Sequence, residues 1–277
     1  MPQSVQRRLR IEPARSWQGL QLAELWRYRE LLYFFVWRDI KVRYKQTVLG
    51  ALWAIIQPLA GTALFTLFFG RLGGLSKQVN GSYSLFVYVG LSLWTFYANT
   101  VSSAANSLVG SSHLIAKVYF PRLLIPIAAI FAGLVDFAVA FAFMLVLMVV
   151  YSVPPSPLML TLPLFLVGTM VVAAGAGVLF SALIVSYRDF RYVITFVVQL
   201  WLFATPVLYT IEIIPEKWRL LYAANPMVGM IAGFRTAVLG GPLPFGLILM
   251  SGVVALLLLA AGLRYFTSVE RRFADVI

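Results

Sequence analysis

Four cations, Arg38, Lys41, Arg43 and Lys45, stand close together in WRDIKVRYKQTVLGALWAIIQPL at Trp37–Leu59. Guanidinium and ammonium groups clustered this way bind anions. Here the cluster runs without a linker into an apolar segment. Read as a helix over Ala23–Gln46, at about 100° per residue, the stretch places Trp26, Tyr33, Val36, Trp37, Ile40 and Tyr44 on one face. Arg27, Glu30, Arg38, Lys41 and Lys45 gather on another. The aromatic side suits the lipid boundary, and the basic side suits headgroups or a protein partner. Such a helix is either a passive interfacial anchor or a moving part at the mouth of a path. The residues alone leave both readings open.

Other chemistry-bearing residues are few. The chain has no Cys, which excludes disulfides, thiolate metal sites and a Cys nucleophile. His113 is the sole histidine, so neither a His-based triad nor a multi-histidine metal site can be built. There is no H-E-x-x-H, and no G-x-x-x-x-G-K-[ST] loop to cradle nucleotide phosphates. Asp136 is the only carboxylate deep inside an apolar run. It fits an ion-coupling site, a pair with a helix hydroxyl, or a contact to a neighbouring subunit. A proton- or sodium-coupled carrier would show several such groups, which speaks against that class. Nothing in the residue inventory resembles a self-contained enzyme.

The elements that must position these residues are membrane helices. The 277 residues are 61% hydrophobic and 12% charged, with a mean hydropathy of +0.88. A soluble globule carries about 25% charged residues. Apolar runs of about 20 residues recur, the length that crosses a hydrocarbon core of about 30 Å. Six spans are predicted, at Val48–Leu72, Tyr83–Leu108, Leu123–Val150, Met159–Val185, Tyr192–Thr210 and Leu243–Phe266. Each must be helical, because lipid offers no partner to free backbone groups and the runs lack the alternation of barrel strands. Of the 22 Lys and Arg residues, 17 fall on the side of both termini. The positive-inside rule therefore places the N-terminal segment 1–22 and the tail 267–277 in the cytoplasm. The start, MPQSVQRRLRIEPARSW, has no apolar h-region and is not read as a cleavable signal. The net charge of +12 fits topology and anionic lipid rather than nucleic acid. Between the last two spans, Trp218–Ala224 and Met227–Leu239 are broken by Asn225-Pro226. Each is too short to span and reads as a short helix dipping into the outer half of the membrane. No internal repeat supports an inverted-repeat transporter. The whole chain, 1–277, reads as one all-α integral membrane domain, with 48–266 its six-helix part.

Four pieces, in this order and spacing, carry a resemblance. They are ELLYFFVWRDIKVRYKQTVLGALWAIIQPL, HLIAKVYFPRLLIP, SYRDFRYVITFVVQLWLFATPVLY and NPMVGMIAGFR. Together they resemble the permease subunit of type-2 ABC exporters of cell-surface polysaccharides, with the O-antigen branch nearest. The resemblance implies a homodimer of permeases with two copies of a separate ATPase in the bacterial inner membrane. This chain would bind no cofactor, and ATP and Mg²⁺ would sit on the partner ATPase. The substrate would be a glycan on a lipid diphosphate, passed outward through a channel between the permeases.

The same resemblance implies roles for particular residues. Ala23–Gln46 would be a gate helix, where Arg38, Lys41, Arg43 and Lys45 could attract the diphosphate, hold lipid headgroups or meet acidic ATPase residues. Ser112–Phe120, ending at Pro121, would be the coupling helix. His113, Lys117 and Tyr119 would contact the ATPase there, and Arg188 and Asp189 would pair with the gate helix or the ATPase. Candidates for the channel wall are Trp94, Phe96, Tyr97, Asn99, Trp201, Phe203 and Tyr209; aromatic rings and scattered hydroxyls let a sugar chain slide. The main alternative is a type-2 exporter of a small amphipathic drug or lipid.

Overall fold

A computed structural model of the chain describes residues 26–45, 47, 50–79, 81–270 and 273. The predicted N-terminal segment 1–22, the first turn of the basic helix and most of the tail lie outside the described residues. Every regular element among those described is helical. In chain order they are α1 (Arg29–Tyr44), α2 (Trp53–Phe65), α3 (Tyr83–Gly110), α4 (Ser112–Lys117) and α5 (Leu124–Val150). There follow α6 (Leu162–Ser186), α7 (Phe190–Phe203), α8 (Glu216–Tyr222), α9 (Pro226–Leu239) and α10 (Phe245–Val269). A 3-10 turn at Gly50–Leu52 leads into α2, and a π-turn at Thr66–Leu72 continues it.

Gly50–Leu72, Leu124–Val150, Pro157–Ser186 and Phe245–Val269 are long and apolar enough to cross a membrane. α3 has the length, 28 residues and so about 42 Å, but carries Ser, Tyr, Trp and Asn along it. It can afford them because it is the central helix, packed between α5 and α6. Tyr88, for example, is fully buried and donates its hydroxyl to the Ala140 carbonyl at 3.1 Å.

The predicted span at Tyr192–Thr210 differs. α7 has 14 residues, about 21 Å, and stops at Phe203. Pro206 lacks an N–H and disfavours helical geometry at Thr205, so the chain bends there. The bend, Thr205 to Leu208, is buried rather than lipid-facing. α8 and α9 follow as the two short helices expected on either side of Asn225-Pro226. Asn225 caps α9 by accepting from Met227 N at 3.0 Å, with Pro226 at the first helical position.

α6 packs closely on α10 because two glycines meet: a Cβ on Gly262 would lie 2.5 Å from the Gly175 carbonyl oxygen. A second apolar cluster closes the α4 end of the bundle. It joins Phe35 of α1 to Leu108, Ile115 and Phe120, and to Phe266 and Phe273. There Arg122 N donates to the Glu270 carboxylate at 3.3 Å, tying the end of α10 to the loop after α4.

Candidate functional site

The basic helix has one more face than its sequence pattern implied. Of the predicted aromatic face, Trp26, Tyr33 and Trp37 are exposed, whereas Val36 packs against the second apolar cluster and Tyr44 turns to Asp136. Phe35, which belonged to neither assigned face, turns inward and stacks edge-on against Phe120 at 5.3 Å. The four cations then divide. Arg38 is held by its neighbour Asp39, at 2.8 Å, and lies over the Phe35 ring. Arg43 pairs with Asp136 of α5. Lys41 sits over Trp37, and Lys41 and Lys45 are exposed with no carboxylate partner among the described residues.

Asp136 therefore has two partners from α1, the Arg43 guanidinium and the Tyr44 hydroxyl, which donate to different carboxylate oxygens. Burial, followed by the hydrogen bond to Asp136, pushes the Tyr44 phenol well above its ordinary range, so it stays protonated and donating. The pair closes one side of a cleft of about 370 Å³ between the end of α1 and helices α2, α3 and α5. Trp53, Gln57, Phe96 and Asn99 line its other walls. Asn99 Nδ2 donates to Gln57 Oε1 at 3.3 Å across the cleft. This polar constellation was not anticipated beyond its separate members. The legible signal was Asp136 itself, for which a hydroxyl partner was one of the readings.

The opposite end holds a second constellation, which caps the broken end of α7. A helix that stops leaves carbonyls without partners, and buried ones must find donors. Phe203 O accepts from the Tyr209 hydroxyl at 3.0 Å. Ala204 O accepts from the Tyr222 hydroxyl at 2.7 Å and from Asn225 Nδ2 at 3.0 Å. Pro206 O and Val207 O accept from Arg235 Nη1 and Nη2, at 2.9 and 2.8 Å. Leu208 O accepts from the Tyr83 hydroxyl at 2.7 Å. Burial, followed by the contact with Tyr209, pushes the Tyr222 phenol upward, so it too stays a donor. Arg235 Cζ lies over the Phe86 ring, 3.7 Å from its centre, a cation–π contact. Nothing in the sequence between the last two predicted spans singles out Arg235 for this role.

The remaining predicted residues fall in three places. His113, Lys117 and Tyr119 are exposed beside α4, with Tyr119 95% exposed. α4 itself ends at Lys117 rather than Phe120, since Val118 is extended and Phe120 folds back onto Phe35. Arg188 and Asp189 are exposed just before α7, and their side chains make no hydrogen bond or ion pair among the described residues. Of the seven wall candidates, Trp94 and Tyr97 pack against each other in the protomer core at 5.3 Å, while Phe96 and Asn99 border the cleft. Trp201, Phe203 and Tyr209 stand at the capped end of α7, where Trp201 Nε1 donates to Asn225 Oδ1 at 3.0 Å.

The described residues thus form an all-helical membrane bundle with a basic surface helix, a short exposed helix at one end and a re-capped broken helix at the other. The chain belongs to the ABC-2 type transporter family, whose model it matches over residues 30–239. It is 28% identical over 250 residues to an O-antigen export system permease protein, RfbA, of Klebsiella pneumoniae, covering 90% of this chain and 95% of that one. It is 29% identical to the protein of the same name from Myxococcus xanthus, covering 92% and 98%. The inner membrane transport permease YadH of Escherichia coli K12 is 28% identical over 67% of this chain and 75% of its own.

Proposed function

We propose that this chain is the membrane half of an ATP-driven exporter of O-antigen polysaccharide. The observation that carries this reading is the match to O-antigen export permeases over 90% and 92% of this chain, against 67% for an inner membrane transport permease. Two copies would form the path, each joined to a separate ATPase in the cytoplasm. ATP hydrolysis with Mg²⁺ on that partner supplies the energy, and this chain contributes no nucleotide site. The assembly would sit in the bacterial inner membrane with both termini of this chain inside.

The residues of this chain would then act as follows. The exposed His113, Lys117 and Tyr119 receive the partner's motion, helped by Arg188 and Asp189 beside α7. The cluster at Phe35 and Phe120 passes that motion directly to α1, because the two rings are in contact. Lys41 and Lys45, which of the four cations of α1 and its end have no carboxylate partner among the described residues, draw the diphosphate of a lipid-linked glycan to the inner leaflet. Trp201, Phe203 and Tyr209 offer apolar ring faces toward the far side.

Deleting the gene and analysing surface and intracellular glycan tests the proposal. Loss of surface polymer with lipid-linked polymer trapped inside is the expected result. Normal surface polymer in a strain without a second exporter favours a small-amphiphile exporter instead.

A further inference from the structure

The cleft between α1, α2, α3 and α5 has a charge balance at odds with an anion site. Its lining holds one cation, Arg43, and one carboxylate, Asp136, bonded to each other, and no other Lys, Arg, Asp, Glu or His. A diphosphate placed there would face the Asp136 carboxylate and would compete for a guanidinium already neutralised. An acyl chain would leave the cleft's polar groups without partners. Those groups are numerous. Asn99 and Gln57, both exposed, engage each other through one atom each, which leaves the Asn99 carbonyl and the Gln57 amide nitrogen without a hydrogen-bond partner among the described residues. Thr95, Ser102 and Ser103 add side-chain hydroxyls to the lining. The Trp53 ring, half exposed, supplies a flat apolar face opposite.

A flat ring face beside converging amide, carboxylate and guanidinium groups, with no net charge, matches a pyranose ring, which has apolar faces and a hydroxyl edge. Counted along the helices, Asp136 lies 14 residues before Val150 and Asn99 lies 16 residues after Tyr83. That places both about 21–24 Å from the ends of α5 and α3 on the α8 side. The cleft is thus near the middle of both helices, where the end of α1 reaches Asp136. We propose that it is a subsite for a neutral sugar unit, whose lining does not include the exposed Lys41 and Lys45. This assignment rests on the glycan-export reading and adds to it where the sugar, as distinct from its anionic anchor, is first held.

Saturation-transfer NMR on the purified full complex with its ATPase tests this. The probes are an oligosaccharide cleaved from the strain's own surface polymer, free of diphosphate, and inorganic diphosphate. The expected result is transfer to the oligosaccharide that is undiminished by diphosphate. It should fall about tenfold in Asn99→Leu and in Trp53→Ala, the loss expected for about 1.4 kcal/mol of binding. Co-purification of the ATPase shows that the variants are folded. Transfer that is unchanged in both variants, displaced by diphosphate, or absent from the wild-type complex overturns the subsite. The gene-deletion test reads separately: surface glycan lost without sugar transfer sinks the subsite alone. Surface glycan retained, with transfer still dependent on Asn99, sinks the export reading alone.

Discussion

Arg235 Nη1 donates to the Pro206 carbonyl at 2.9 Å, so an arginine on α9 fills the gap where α7 has lost its helical hydrogen bonds. The same guanidinium serves Val207 O through its other terminal nitrogen. One side chain therefore stands in for two missing backbone donors in an apolar setting. The fork geometry of Arg is what allows it, and a Lys cannot reproduce it.

Arg235→Met is accordingly predicted to leave two buried carbonyls unpaired, at a cost of about 1–3 kcal/mol each. Arg235→Lys is predicted to recover only part of that. Thermal unfolding of the purified chain in detergent checks the order wild type, Lys, Met. Equal stability of all three variants contradicts the capping role.

Gly90 makes room for this arginine, since a Cβ there would lie 2.5 Å from Arg235 Nη2 and 3.1 Å from Val207 O. Gly90→Ala is predicted to destabilise by about 1–3 kcal/mol through overpacking. In a double-mutant cycle with Arg235→Met the two losses are predicted not to add, because the smaller side chain relieves the clash. Strict additivity counts against the contact.

The fold was legible in the sequence wherever length and apolarity settle it. α2, α5, α6 and α10 were placed by those features, and the short pair α8 and α9 by the Asn225-Pro226 break. The predicted span at Tyr192–Thr210 runs past the end of α7 because apolar residues continue beyond Phe203, while Thr205-Pro206 breaks the helix there. The site was less legible, because its contacts are tertiary. Nothing near Phe35 in sequence reveals Phe120, and Arg235 looks like any outer-loop cation until α7 is bent against it. Asp136 was conspicuous as a lone carboxylate, but its partners lie 92 and 93 residues away.

Because the chain has no cysteine, a Phe35→Cys/Phe120→Cys pair reports one contact without background. A short bis-maleimide is predicted to give a single intramolecular cross-link, seen as a mobility shift absent from either single variant. Failure to cross-link in the resting complex counts against α1 being docked on the α4 loop.

Arg43→Gln and Asp136→Asn are each predicted to destabilise by about 1–3 kcal/mol, as each strands a partly buried charge. The double variant is predicted to recover about 0.5 kcal/mol or more, since it leaves no lone charge. Unfolding curves of the four proteins supply the cycle, and no coupling between the two positions sinks the pairing.

Tyr119→Ala touches a side chain that packs on nothing in the protomer. It is predicted to leave thermal stability within about 0.5 kcal/mol of wild type while lowering ATPase association. Pull-down of the partner by wild-type and variant permease measures this, and full retention of the ATPase excludes Tyr119 from the docking surface.

Transport itself is the most direct test. Inside-out vesicles carrying this permease and its ATPase are supplied with lipid-linked polymer, and the glycan that becomes protected from added glycosidase is measured. The account predicts protection that requires ATP and is abolished by an inactive ATPase. Protection equal with and without ATP, or none despite an assembled complex, contradicts it.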